Sequence, residues 1–407
     1  MLKKIFIAGM MMCILAMPCA SAEEAGTQSE DYEPLYTLAE KYGFRLGGCF
    51  SPGELKDESY MAFLARHFNS LTCTNETKAY SLLNQDMSKL SPDGKPMMNY
   101  YWADQMVGFA KDHGIGIRGH VLVWDAYMTD WFFREGYDSA KPYADRETVR
   151  QRIASYIDQV MTHFETKFPG VIYCWDVVNE AIGDSAADSD LSTPRHIRNL
   201  RGGENNLFLE LAGDDYVEYA FLCARNTAEK LGVDIRLFYN DYNMFQTGKR
   251  AAACALIESI NHYAQDKQGN DRKLIDGIGM QGYIGGYGQQ PGCMNSADIA
   301  AIRKSIELYA SHGMEVQITE MAVRNYDKSQ AASHAEFYGK LFEMFKQVNN
   351  EDSNPLTAVC IWGINDCPSL PKTHYTWKLN SPYGGLLTED HQIKTSFDTV
   401  YHVLKGE

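Results

Sequence analysis

Eight short apolar runs alternate with longer amphipathic stretches along this chain, and few folds accept that order. The runs cover residues 44–49, 68–72, 115–123, 171–178, 234–239, 277–281, 315–319 and 358–363. Between them lie stretches of helical period, including 147–168, 216–231, 249–265, 296–311 and 335–348. The first is typical: Val149, Ile153, Tyr156, Ile157, Val160, Met161 and Phe164 recur at three- and four-residue spacing. Strand followed by helix, eight times over, predicts an α/β fold, the (β/α)8 TIM barrel with its helical jacket. An open doubly wound sheet is the structural competitor, and the strand count favours closure.

The fourth run ends unusually. Gly170-Val171-Ile172-Tyr173-Cys174 continues into Trp175-Asp176-Val177-Val178-Asn179-Glu180, so an amide and a carboxylate stand where a turn residue is ordinary. Val316-Gln317-Ile318-Thr319-Glu320 is a second apolar run that ends in Glu. An N-cap Asn and a solvated Glu opening a helix would explain one such end. Two are what cleavage of a glycosidic bond needs, one to protonate the leaving oxygen and one to attack or activate water. The C-terminal strand ends of a barrel build its site, so the other exits matter too. They carry Asn75 and Lys78 after the second run, His120 and Trp124 on and after the third, and Asn240 and Asp241 after the fifth. Gln281 and Tyr283 stand at the sixth exit and Trp362 at the eighth. Amides and carboxylates bond hydroxyls while indoles cover the C–H face of a sugar ring, so the set predicts a polyol-binding mouth.

Other features bound the function from outside. Met1-Leu2-Lys3-Lys4, an apolar run from Ile5 to Met17 and then Ala20-Ser21-Ala22 follow the order of a secretory signal peptide. Residues 1–22 are expected to leave, with cleavage near Ala22, and residues 23–407 to form a single exported catalytic domain, extracellular or periplasmic. Cys19 suggests a lipoprotein, but Met17-Pro18 before it is a poor lipobox. Asp and Glu number 53 against 38 Lys and Arg, which argues against nucleic acid or an anionic membrane as partner. After the signal no apolar run is long enough to span a bilayer. The remaining Cys are scattered without C-x-x-C or Cys/His spacing, so structural zinc is not expected, and two-carboxylate chemistry calls for no metal and no cofactor. Gly277-Ile278-Gly279-Met280-Gln281-Gly282 matches G-x-G-x-x-G, yet Tyr283-Ile284-Gly285-Gly286 after it does not open the helix a dinucleotide needs. The irregular stretch 183–206 is expected either to wall the cleft or to be a solvated insertion.

The chain resembles the glycoside hydrolase family 10 endo-β-1,4-xylanases. The resemblance rests on Phe68-Asn69-Ser70-Leu71-Thr72-Cys73-Thr74-Asn75-Glu76-Thr77-Lys78, Arg118-Gly119-His120-Val121-Leu122-Val123-Trp124 and Trp175-Asp176-Val177-Val178-Asn179-Glu180-Ala181. It continues through Phe238-Tyr239-Asn240-Asp241-Tyr242-Asn243, Gly277-Ile278-Gly279-Met280-Gln281, Val316-Gln317-Ile318-Thr319-Glu320 and Trp362-Gly363-Ile364-Asn365-Asp366, in family order. It implies a retaining hydrolase acting on xylan or a related β-glycan, with Glu180 as acid/base and Glu320 as nucleophile. Their carboxyl groups would then lie ~5–5.5 Å apart. Glu180 would titrate above the ordinary ~4.3 so that it can donate a proton. The resemblance further implies that Asn179 bonds the 2-hydroxyl of the reacting sugar. Asn75, Lys78, His120 and Gln281 would line the glycone side, with Trp124 and Trp362 as apolar walls.

Five positions depart from the family pattern. Thr74 stands where members usually carry Glu, Asp125 where they carry His, and Leu370 where they carry a second lid Trp, a role for which Trp377 is a candidate if its loop folds inward. Tyr283 replaces a His that bonds the nucleophile, and Ala322 replaces the Asp that holds that His. This reads as a coupled replacement, with hydrolysis kept and its pH profile shifted. The alternatives are a relative acting on a different or decorated β-glycan, and a catalytically weak carbohydrate-binding barrel.

Overall fold

The computed structural model describes residues 29–183, 206–284, 294–349, 353–370 and 381–407. The expected signal peptide, most of the 183–206 stretch and Trp377 lie outside the described residues. The strands are β1 (Arg45–Phe50), β2 (Ser70–Cys73), β3 (Gly116–Val123), β4 (Ile172–Asn179) and β5 (Arg236–Asp241). They continue with β6 (Gly277–Met280), β7 (Tyr283–Ile284), β8 (Glu315–Val323) and β9 (Leu356–Ile361). Every pairing is parallel, and β1 to β6, β8 and β9 form one ring that closes through β9 on β1 and through β6 on β8. That is the eight-stranded barrel expected, not the open sheet. Burial along the strands is nearly continuous, as strands covered on both faces require.

The helices form where the period placed them, with ends decided by local chemistry. Helix Arg146–Lys167 buries the whole predicted stripe from Val149 to Phe164. It starts where the Asp145 side chain accepts from the Thr148 amide. Helix Tyr216–Leu231 stops at Gly232 in the left-handed conformation. The expected 249–265 helix runs instead from Thr247 to Asn261, because Asn261 Oδ1 turns to accept from the Leu274 amide and Gln265 pairs antiparallel with Asp271. No helix among the described residues is long and apolar enough to cross a membrane.

Three strand boundaries differ from the sequence expectation in ways that bear on the site. The first is that of β5, which runs Arg236–Asp241 and so holds Asn240 and Asp241 within it and not after it. The seventh run does not stop before Glu320: β8 continues through Val323, so Glu320 lies within a strand. The cause is β7, which pairs Tyr283 with Ala322 and Ile284 with Val323 and so gives β8 partners beyond the barrel rim. The second run starts at Ser70 and not at Phe68, because Phe68 caps the preceding helix and Asn69 Oδ1 accepts from the Leu46 amide.

The far end of β8 is pinned by a buried histidine. His334, on helix Ala331–Val348, has its Nε2 2.9 Å from the Val323 carbonyl, which can only accept, so Nε2 carries the proton. Burial pushes this imidazole down to about 4. The unfolded chain therefore binds a proton near pH ~6.5 that the native state refuses until much lower pH, and stability falls as pH drops across that window. His334→Gln keeps a donor but does not titrate. Against it, the wild type should lose on the order of 3 kcal/mol of unfolding free energy between pH ~7 and ~4 in denaturant titrations. Parallel stability curves for the two proteins would contradict this.

Candidate active site

The register of the barrel sets Asn179 of β4 beside Asn240 of β5, and Asn240 beside Gly279 of β6. Side chains at this level point into the mouth, and three amides there connect two carboxyl groups. Glu180 follows β4 with φ 55°, a left-handed backbone that a non-glycine residue adopts only when its surroundings hold it. Its amide donates to the Asn240 carbonyl at 2.8 Å. Glu180 and Glu320 are only 8% and 7% exposed. Gln281 Nε2 donates to Glu180 Oε1 at 2.9 Å and reaches Asn179 Oδ1 at 3.4 Å. Asn240 Nδ2 donates to Asn179 Oδ1 at 2.9 Å and to Glu320 Oε1 at 3.3 Å. The other Glu320 oxygen accepts from the Tyr283 hydroxyl at 2.5 Å.

The direction of each amide follows from its neighbours. Thr319 Oγ1 donates to Asn240 Oδ1 at 2.6 Å, which fixes Asn240 with its NH2 toward Asn179 and Glu320. Two donors then meet Asn179 Oδ1, so the Asn179 NH2 faces the other way. That nitrogen is buried and has no hydrogen-bond partner among the described residues. The arrangement therefore leaves the Asn179 NH2 as a donor in reserve. Gly279 makes room for it, since a Cβ there would stand 2.3 Å from Asn240 Oδ1. The G-x-G of this segment serves close packing inside the barrel, with Gly277 equally tight against Phe238.

The remaining expected residues lie around this pair. Lys78 Nζ donates to Asn75 Oδ1 at 3.0 Å and sits 4.9 Å from the Trp124 ring centre and 4.8 Å from that of Tyr127. Burial lowers the Lys78 pKa, and the charges of Glu320 and Glu180 oppose that shift, so the ammonium feels both carboxylates. His120 stands between the indoles, its ring 5.9 Å from Trp124 and 6.5 Å from Trp362. Its Nδ1 lies 2.8 Å from Asp176 Oδ2, and the Arg118 guanidinium grips both Asp176 oxygens at 2.7 and 3.1 Å. Burial alone would raise the Asp176 carboxyl, but Arg118 and His120 outweigh it and hold it below the usual range. Asp176 is thus ionised and His120 donates to it from Nδ1.

Of the twelve residues singled out at the run ends, eleven gather in this one mouth; Asp241 does not, since it turns to the outward face of β5 with Tyr239 and pairs with Lys249. In the sequence Asn240 reads only as a strand exit, and nothing there assigns Thr319, Tyr127, Arg118 or Asp176 to the site. A signal for the last two was present: a charge inside an apolar run, Arg118 in β3 and Asp176 in β4, requires an inward partner. The departures also find places. Tyr283 and Ala322 are cross-strand partners and pack together with Cys49 and Trp362, so the small Ala322 leaves space for the phenol. Burial, then the Glu320 charge, pushes the Tyr283 hydroxyl well above its ordinary value, which keeps it a neutral donor. Thr74 turns its hydroxyl to the Phe50 carbonyl at 2.8 Å, Asp125 is buried in a short 3-10 turn, and Leu370 is half-buried. Among the described residues, no group of three or more His, Cys, Asp or Glu could hold a metal ion.

Comparison with known proteins fits this geometry. The family model described as Glycosyl hydrolase family 10 matches residues 34–403. Endo-1,4-beta-xylanase B of Butyrivibrio fibrisolvens is 33% identical over 337 residues, covering 82% of this chain and 47% of its own length. A putative endo-1,4-beta-xylanase of Caldicellulosiruptor saccharolyticus is 32% identical over 316 residues, covering 74% of this chain and 92% of its own. The chain therefore spans about half of the first relative and nearly all of the second. Among solved structures, the Clostridium thermocellum N-terminal endo-1,4-beta-D-xylanase 10B complexed with xylohexaose superposes with TM-score 0.76 at 25% identity, over 91% of this chain and 68% of that one. The intracellular xylanase of Thermoanaerobacterium saccharolyticum gives TM-score 0.70 at 30% identity, over 91% and 98%.

Proposed function

The chain belongs to glycosyl hydrolase family 10, and from that premise we propose that it is an endo-1,4-β-xylanase that cleaves internal β-1,4 linkages of xylan with retention. The observation that carries the proposal is the amide chain Gln281–Asn179–Asn240, which ties Glu180 to Glu320 and leaves the Asn179 NH2 as a donor. Glu320, steadied by Asn240 and Tyr283, attacks the anomeric carbon as Glu180 protonates the departing glycosidic oxygen. The resulting glycosyl ester carries no charge at Glu320. Glu180, now ionised, takes a proton from water, which opens the ester and restores both groups. Asn179 Nδ2 bonds the 2-hydroxyl of the reacting sugar, a contact that tightens as the ring flattens.

Lys78, Asn75, His120 and Gln281 bind hydroxyls on the glycone side, and Trp124 and Trp362 supply its walls. The relatives named as xylanases and the xylohexaose complex support xylan as substrate. Residues 23–407 act as a single catalytic domain, exported after removal of residues 1–22. A second reading, acceptance of xylan bearing side chains, is favoured by Thr74, whose hydroxyl is committed to Phe50 and presents no carboxylate to the sugar.

Reducing-sugar release should be strong on xylan and weak on β-glucan and mannan, and Glu320→Ala should lower it by about 10³-fold or more. Release from another glycan alone would overturn the substrate. An active Glu320→Ala variant would overturn the mechanism. Tyr283→Phe removes one of two donors to Glu320 and should slow glycosylation at least about tenfold in single-turnover measurements. A change under about twofold would show that the hydroxyl does not position the nucleophile.

A further inference from the structure

Glu180 sits at φ 55°, and the mouth of the barrel accounts for only part of what keeps it there. Its own amide is held by the Asn240 carbonyl across the seam between β4 and β5. The two amides that follow are held from the outward face of β5. The Tyr239 hydroxyl accepts from Ala181 N and from Ile182 N, each at 3.0 Å. Asp241 Oδ2 accepts from the same hydroxyl at 2.5 Å and from Ile182 N at 3.3 Å. Asp241 Oδ1 accepts from the Tyr242 amide and from Lys249 Nζ, both at 2.8 Å. Lys249 and Asp241 are almost fully buried, and the ammonium lies 3.5 Å from the Tyr242 ring centre.

The outward face of a barrel strand ordinarily meets a helix through apolar side chains. Here it carries an ion pair and a phenol, a costly choice unless the groups have work to do. Burial, then the Asp241 charge, raises the Tyr239 hydroxyl far above its ordinary value, so it stays protonated. With its one hydrogen given to Asp241, both lone pairs remain for the two amides. Those amides belong to the residues directly after Glu180, so they fix the ψ of Glu180 and with it the aim of its carboxyl at Gln281.

We infer that Tyr239, Asp241 and Lys249 are positioning residues for Glu180, holding its left-handed backbone so that its proton meets the leaving oxygen. This rests on the reading of Glu180 as acid/base, and the test separates the two. Tyr239→Phe keeps the ring and deletes the hydroxyl. The double variant Asp241→Asn/Lys249→Met replaces the buried pair with neutral groups of similar size, and serves if the first does not fold. Each would be assayed for kcat/KM on a xylo-oligosaccharide, whose leaving alcohol needs protonation, and on a dinitrophenyl xylobioside, whose leaving group does not. The expected result is a loss of about tenfold or more on the first and less than about twofold on the second. A merely destabilised barrel would lower both together, and equal losses in the folded variants overturn the inference. Glu180→Ala run alongside should show the same selectivity in a stronger form. If it does and the Tyr239 and Asp241/Lys249 variants do not, the positioning role alone fails; if it does not, the acid/base reading of Glu180 fails and the inference with it.

Discussion

Placing two largely buried carboxyl groups in one barrel mouth is the constraint on which the rest of this structure depends. Each loses most of its water on burial, so both need donors of settled direction. The chain supplies these through a hierarchy of side chains. Thr319 turns Asn240, Asn240 and Gln281 turn Asn179, and Tyr283 meets the second oxygen of Glu320. Below this level the Arg118–Asp176 pair fills the barrel interior and orients His120, so the layer under the site is polar but satisfied. The barrel itself makes such a hierarchy possible, since adjacent parallel strands deliver these groups at one height from positions far apart in the chain.

Much of this was legible before any coordinates. The eight-run alternation gave the closed sheet, and the helical stripe from Val149 to Phe164 buried as a unit. The site residues could be found because a charge or amide at the end of a buried strand has few other uses. What escaped the sequence was cross-strand information. Nothing within 315–319 shows that β8 will run on to Val323; that depends on β7, a two-residue strand too short to have a period. The part played by Thr319 depends on Asn240 standing opposite, and that in turn depends on Gly279 having no side chain. The early end of helix Thr247–Asn261 likewise follows from Asn261 bonding a later segment, a tertiary contact that overrides local period.

The pairing of Tyr283 with Ala322 shows how such a site tolerates change. A phenol needs no counter-charge of its own but takes more volume than the imidazole that related chains are expected to carry. A methyl in the cross-strand position provides that volume among Cys49, Tyr283, Ala322 and Trp362. The phenol donates to Glu320 and stays neutral in doing so. The two faces of β5 divide the work in a similar way: Asn240 serves the carboxylates from inside, and Tyr239 and Asp241 secure the backbone that carries one of them from outside.

The central claim is that Glu180 and Glu320 face each other across one glycosidic bond at the distance for direct attack. The stereochemistry of the first product reports this without reference to any variant. Proton NMR of xylo-oligosaccharide hydrolysis, recorded before mutarotation, should show the β-anomer appearing first and the α-anomer only later. An α-anomer formed first would mean a carboxyl separation of about 6.5–9.5 Å with water between the two, and would contradict the account.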